Sequence, residues 1–160
     1  MNYVIGDIHS EVSKLKELIL YICKIDSNPK FIFVGDYIDK GNDAKKTLDY
    51  LLKIKNKFSS IFLIGNHEYC WLNLIDYKEY LINFGGYKTI ESFSCSNIFE
   101  CQKKILIDYN DFFDSLVPYY IINNYIITHS GIASKFYSFS PDEIKMKNFL
   151  FNRYDFIQEK

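Results

Sequence analysis

The order of apolar runs and turn residues predicts an α/β protein. Three short runs rich in isoleucine, valine and phenylalanine alternate with two longer stretches whose apolar residues recur at helical spacing. Each short run ends in a Gly-Asp or Gly-Asn motif, and two further apolar runs flank Asn123-Asn124. Strand, helix, strand, helix, strand at this spacing implies right-handed crossovers and a parallel sheet covered by helices.

Taken in order, Asn2–Ile5 reads as a first strand. Residues 11–25 set Leu15, Leu18, Ile19, Ile22 and Ile25 on one helical face, with Ser10 as the N-cap. The cluster Asp26-Ser27-Asn28-Pro29 ends that helix. Residues 31–34 are too short a run for a helix and read as a buried strand. Asn42 is the expected cap of a second helix running to Lys57, with Ala44, Leu48, Leu51 and Leu52 inward. Residues 60–64 are the third strand. Beyond it, 69–84 reads as a helix that Gly85-Gly86 interrupts and 87–93 resumes, 94–100 as a loop, and 107–116 as a helix. Tyr119–Ile122 and Tyr125–Thr128 form a hairpin over Asn123-Asn124. Ser140-Pro141-Asp142-Glu143, with proline at the first helical position, opens a last helix reaching Phe151.

At 160 residues and 48% hydrophobic, the chain suits one soluble domain spanning residues 1–160. A net charge of −1 leaves no basic surplus to neutralise a nucleic-acid backbone. Lys16, Glu17 and Lys24 break the apolar stretch 15–25, so it is no membrane span, and Met1 leads into a strand rather than a secretory leader. The four cysteines lack Cys-x-x-Cys spacing. Although Cys95 and Cys101 lie near enough to pair, reduced thiols in a cytoplasmic protein are the expectation. The tyrosine and phenylalanine excess, and Trp71, read as core packing.

All three histidines fall in motifs at the carboxyl ends of strands, where ligands of such sheets bind. The motifs are Gly6-Asp7-Ile8-His9, Gly65-Asn66-His67-Glu68 and Thr128-His129-Ser130-Gly131. Gly35-Asp36-Tyr37-Ile38-Asp39-Lys40-Gly41 adds two carboxylates. Unpaired carboxylates gathered at strand ends repel one another, so a cation is the simplest reason to collect them. Hard oxygen donors mixed with imidazoles suit two divalent ions. Asp7, His9 and Asp36 make one expected site; Asp36, Asn66 and His129 make the other, with Asp36 bridging. Ions about 3.5–4 Å apart clamp a phosphoryl group and acidify a shared water to a hydroxide nucleophile. His67 is expected to turn from the ions toward a leaving group as general acid, oriented by Asp39. Lys40 and Arg153, the only arginine, are the cationic candidates for phosphate oxygens, and Arg153 alone offers a bidentate fork.

Gly-Asp-Ile-His, Gly-Asp-Tyr-Ile-Asp-Lys-Gly and Gly-Asn-His-Glu, in this order, resemble the calcineurin-like metallophosphoesterases. Within them the chain is similar to the phosphoprotein phosphatase branch, especially small bacterial and phage serine/threonine phosphatases. Phe84-Gly85-Gly86, Thr128-His129-Ser130-Gly131 and Leu150-Phe151-Asn152-Arg153 extend the likeness over residues 3–155. The resemblance implies a four-layer α/β/β/α sandwich and a manganese or iron–zinc pair, manganese being favoured by the oxygen-rich ligand set. It implies Asp7, His9, Asp36, Asn66 and His129 as metal ligands, His67 with Asp39 as the catalytic dyad, and Arg153 and Lys40, with Asn66, at the substrate.

Three departures from the family pattern carry expectations. Ser10 stands where the family has glycine and is expected to change little. Lys40 stands where the family has arginine, which keeps the charge and loses the fork. No fourth histidine follows His129, so the second sheet is expected to be incomplete, the second ion weakly held, Asp155 a stand-in ligand if one exists, and an open sheet edge a route to homo-oligomers. The expected substrate is a phosphoprotein. The alternatives are a dinucleoside tetraphosphate or other small phosphoester, and a catalytically weak relative acting as a binding or regulatory module.

Overall fold

Three parallel strands, β1 (Asn2–Ile5), β2 (Lys30–Phe33) and β3 (Ser60–Phe62), form a sheet in the order β1-β2-β3. This architecture comes from a computed structural model that describes residues 1–133 and 144–152. Ile5 lies opposite Phe33, and Phe33 opposite Phe62, so the three strands end level. Their outgoing loops therefore emerge side by side, and this register positions the site. β2 is the central strand; Phe31, Ile32 and Phe33 are all buried, as a strand covered on both faces requires.

The crossovers are α1 (Val12–Ile25) and α2 (Ala44–Lys57), which pack against each other. Val12, Leu15, Ile19 and Ile22 bury the inner face of α1, and Leu48, Leu51 and Ile54 that of α2. Leu18 and Ile25 were expected inward but are 41% and 62% exposed. At 3.6 residues per turn they lie roughly 80° and 100° from the centre of the buried face. Neither expected cap is one. Glu11 and Asp43 occupy the N-cap positions, without side-chain cap bonds. Ser10 is instead buried, and its Oγ donates to the Asp39 carbonyl at 3.3 Å.

The middle of the chain is more helical than its sequence suggests. α3 (Asn66–Leu72) begins at the Asn-His-Glu motif itself, three residues before the expected start, and Asn73 separates it from α4 (Leu74–Asn83). α5 (Gly86–Ser92) follows Gly85, whose φ of +97° turns the chain. The expected loop 94–100 already contains the start of α6 (Ile98–Asp108). Asn97 caps it by accepting the Phe99 and Glu100 N–H groups at 3.0 Å each. The expected helix 107–116 is the end of α6 plus the short α7 (Asn110–Phe113).

Val117 bonds to both sides of the β3 exit, its N–H to the Phe62 carbonyl and its carbonyl to the Ile64 N–H. It thereby sets the start of a separate antiparallel pair, β4 (Tyr119–Ile122) and β5 (Tyr125–Thr128), turned at Asn123 with φ +53°. α8 (Met146–Leu150) buries Phe149 and Leu150, with Phe149 against Tyr119 at 5.5 Å between ring centroids. The expected helix start at Ser140-Pro141 lies outside the described residues. Among those residues the second sheet has two strands and the outer edge of β1 has no partner strand.

Aromatic rings fill the core. Phe33 stacks on Phe62 at 4.8 Å, and Phe112 meets both Phe62 and Tyr37 edge-on. Cys23, Cys70, Cys95 and Cys101 are free. No helix among the described residues is long and apolar enough to cross a membrane.

Candidate metal centre

Two glycines let the strand-end loops meet backbone to backbone. A Cβ on Gly35 would lie 2.4 Å from the Gly65 nitrogen, and one on Gly65 would lie 2.2 Å from the Asp36 nitrogen. Around them, His9, Ser10, Asp36, Asp39 and Lys40 all adopt positive φ, a conformation non-glycine residues keep only when surrounding contacts enforce it. The contacts are visible. Ile8 and His9 both donate their N–H groups to the Asp36 carbonyl, at 3.0 and 2.9 Å. Glu68, buried in the first turn of α3, accepts the N–H of Asp36 and of Tyr37 at 2.8 Å, of Gly65 at 3.1 Å and of Ile38 at 3.4 Å. Burial and the charge of Asp36 raise the Glu68 carboxyl above its ordinary range, while the charge of His67 and the Tyr37 and Asp36 N–H groups pull the other way.

Asp36 is the hub. It is fully buried, its Oδ1 accepts the His67 N–H at 3.1 Å, and its Oδ2 has no hydrogen-bond partner. His9 Nε2 lies 3.4 Å from Oδ2, His129 Nε2 lies 3.4 Å from Oδ1, and Asp7 reaches toward both histidines at 3.8 and 4.0 Å. The two histidines are tied in the same way. His9 Nδ1 bonds the Ile38 carbonyl at 3.0 Å and His129 Nδ1 bonds the Val34 carbonyl at 2.8 Å. A carbonyl only accepts, so each Nδ1 carries a proton, and in the neutral ring that leaves Nε2 as the atom able to bind a cation beside Asp36. Burial lowers the His9 imidazole below its usual range despite the bond to Ile38, which keeps that atom available near neutral pH. A buried carboxylate with one oxygen unpartnered, and with an imidazole Nε2 3.4 Å from each of its oxygens, fits divalent cations.

Asn66 joins from α3. Its Oδ1 is 2.8 Å from His129 Nε2, while its Nδ2 donates to the Tyr80 hydroxyl at 2.9 Å. His129 is held in turn by its neighbours: the Ser130 N–H and Oγ both donate to the Phe149 carbonyl at the end of α8, at 2.8 and 2.7 Å. The ligand-capable atoms of His9, Asp36 and His67 form one group, and those of Asp7, Asp36 and His129 a second. Asp7, expected to share a site with His9, falls in the second of these groups, 3.8 Å from His9 Nε2 and 4.0 Å from His129 Nδ1.

A model of the calcineurin-like phosphoesterases matches residues 3–159. The chain belongs to the calcineurin-like phosphoesterase family. It is similar to Shewanella-like protein phosphatase 1 of Plasmodium berghei (strain Anka), 28% identical over 158 residues that cover 89% of this chain and 42% of that one. It is similar in fold to a solved structure provisionally named a diadenosine tetraphosphatase, with a TM-score of 0.61 and 17% identity, covering 92% of this chain and 57% of that one. The chain therefore spans about half the length of these relatives.

Against the family pattern, the other site residues fall as follows. His67 does not turn from the ligands. Its Nδ1 is bonded to Asp39 Oδ2 at 2.7 Å behind it, which aims Nε2 at Asp36 Oδ2, 3.9 Å away. Burial pulls the His67 imidazole down, but the bond to Asp39 and the charges of Asp36, Asp39 and Glu68 outweigh it, so its pKa is raised. Lys40 Nζ contacts His9 Nε2 at 2.7 Å on an exposed stem. Arg153 and Asp155 lie outside the described residues. The roles of four residues were not anticipated: Glu68, Tyr80, Trp71 and Thr89. Trp71 is buried as expected, yet its Nε1 donates to Asp39 Oδ1 and Oδ2 at 3.0 and 3.1 Å. A signal existed for it, since Trp71 is four residues after His67 and so shares its helix face.

Proposed function

We propose that this chain is a metal-dependent phosphoesterase, a single domain over residues 1–160, that hydrolyses phosphoserine or phosphothreonine esters. The observation that carries the reading is the pair of histidines whose Nδ1 atoms are committed to main-chain carbonyls while their Nε2 atoms converge on the buried carboxylate of Asp36, His9 on the unpartnered Oδ2 and His129 on Oδ1. Asp7, His9, Asp36, Asn66 and His129 would hold two divalent ions, manganese by preference for a ligand set dominated by oxygen. Bound there, the ions supply Lewis-acid polarisation of the phosphoryl oxygens and a lowered pKa for water.

The rest falls to side chains. Asp39 keeps the His67 tautomer and direction, so that a proton held on Nε2 is available to the leaving alkoxide. Lys40 would leave His9 Nε2 if that atom held an ion, and its flexible stem would let the ammonium reach phosphate oxygens; Arg153 is the second cationic candidate by family position. The protein-phosphatase relative supports a phosphoprotein substrate, and the free cysteines support a reducing, cytoplasmic setting. The unpartnered edge of β1 supports self-association.

The test is hydrolysis by manganese-loaded protein of a phosphoserine peptide in competition with diadenosine tetraphosphate. Preferential turnover of the peptide is expected, and His67→Asn should reduce it about 100-fold with metal content intact, as loss of a general acid does. Preference for the dinucleotide would replace the substrate assignment, and full activity of His67→Asn would remove the assigned acid.

A further inference from the structure

Asp39 is fully buried, with a left-handed backbone, and its carboxylate is enclosed by donors from two residues outside the strand-end motifs, one on α3 and one on α5. From α3, Trp71 Nε1 straddles both oxygens. From α5, the Thr89 hydroxyl does two things at once: it donates to Asp39 Oδ1 at 2.5 Å and accepts the Asp39 N–H at 3.0 Å. That closes a small ring between the Asp39 side chain and its own backbone. With Oδ1 tied to Thr89 and both oxygens tied to Trp71, the carboxylate cannot rotate, and Oδ2 is left directed at His67 Nδ1.

Gly85, just before α5, makes this possible. Lys40 donates its N–H to the Gly85 carbonyl at 3.2 Å, and a Cβ on Gly85 would lie 2.7 Å from the Lys40 nitrogen. Only glycine at that place, with its positive φ, lets α5 dock close enough for Thr89 to reach Asp39. Trp71 is anchored from its other side, its carbonyl accepting Gln102 Nε2 at 2.6 Å.

We propose that Trp71 and Thr89 are positioning residues that set the aim of His67, by locking the Asp39 carboxylate rather than by touching substrate. The inference rests on the phosphoesterase reading given above. Proton donation matters most when the leaving group is poor, so loosening the lock should be felt selectively. Thr89→Val keeps the shape of the side chain and removes the hydroxyl. It should lower kcat on a phosphoserine peptide about 10- to 100-fold with KM little changed, and lower kcat on p-nitrophenyl phosphate by about 3-fold or less. Thr89→Ser should restore the peptide rate, and Trp71→Phe should repeat the Thr89→Val pattern.

A second readout is independent of turnover: the downfield imidazole N–H proton signal of the wild-type protein that Asp39→Asn abolishes. Thr89→Val and Trp71→Phe should both shift it. Equal losses on the two esters without rescue by Thr89→Ser, or unchanged rates in both variants, would overturn the inference. If the wild-type protein hydrolyses neither ester, the functional reading fails, and the proton signal tests the lock by itself: shifted by Thr89→Val it upholds the lock, and unmoved it overturns it.

Discussion

Replacing Glu68 with glutamine should damage this site more than its distance from any substrate suggests. The two carboxylate oxygens divide four backbone donors between them. Oε2 takes the Asp36 and Gly65 N–H groups, and Oε1 takes those of Tyr37 and Ile38. An amide has one acceptor oxygen, so in either orientation its NH₂ faces two N–H donors. The less costly choice keeps the oxygen on Asp36 and Gly65, and gives up Tyr37 at 2.8 Å and Ile38 at 3.4 Å.

Each buried donor left unsatisfied costs about 1–3 kcal/mol, so roughly 2–6 kcal/mol is lost, with the long Ile38 bond favouring the lower half. A whole domain has about 5–15 kcal/mol. Urea denaturation of Glu68→Gln against wild type, each with and without excess manganese, measures the loss directly. Because Glu68 also helps hold Asp36 at φ +54°, elemental analysis after gel filtration should show reduced metal as well. A variant within about 0.5 kcal/mol of wild type, retaining its metal, would refute the reasoning, because that is the range of an ordinary surface change.

The contributions of His9 and His67 to stability without metal should together pass through a maximum near pH 6.5, the ordinary histidine value from which His9 is lowered and His67 raised, superposed on a loss with rising pH from the raised Glu68 carboxyl. The unfolded chain binds more protons at position 9 below that pH, so stability falls on acidification. The folded chain binds more at position 67 above it, so stability also falls as pH rises through the folded His67 value. Urea midpoints across pH in EDTA check this; His67→Asn should flatten the alkaline limb, and an unchanged limb would reject it. Tyr80→Phe removes the acceptor of the Asn66 amide and should weaken metal binding about 10-fold, as loss of an outer hydrogen-bond partner does, with unaltered cobalt titration as the contrary result. Cys23 and Cys95 are half-buried and should alkylate before Cys70, which burial and then the charges of Asp39, Asp36 and Glu68 push up to about 12. Mass spectrometry of timed labelling would expose the opposite order.

Where the sequence was legible, the information was local. β1 and both hairpin strands have the predicted bounds because a short apolar run between turn residues has few other ways to fold. The clustering of Asp7, His9, Asp36, Asn66 and His129 follows from motifs placed at strand ends plus strands that end level. Leu18 was misread because a helical repeat shows a face without showing where the neighbouring elements stop. Asn97 was legible and missed. Asn-x-x-Glu is a helix-start pattern, and Glu100 indeed reaches back to the Ser96 N–H at 2.8 Å. Thr89 was not legible at all, since its partner is fifty residues away and nothing in its surroundings signals a buried carboxylate.

The left-handed residues explain why His67 faced an unexpected way. Reading the motif as a list of ligands assumes each side chain leaves an ordinary strand end, alternating from one face to the other. His9, Asp36 and Asp39 do not; positive φ at each redirects the side chain, at a cost of order 1–3 kcal/mol apiece. Such a cost persists only where specific contacts over-determine the backbone, and the contacts are those of Glu68 with residues 36–38 and of Thr89 and Trp71 with Asp39. Both sets come from α3 and α5, the part of the chain least regular in sequence. The strand ends bring the ligand-bearing residues together, and these helices decide which way they point. Substitutions there should therefore alter the chemistry while leaving the parallel sheet intact.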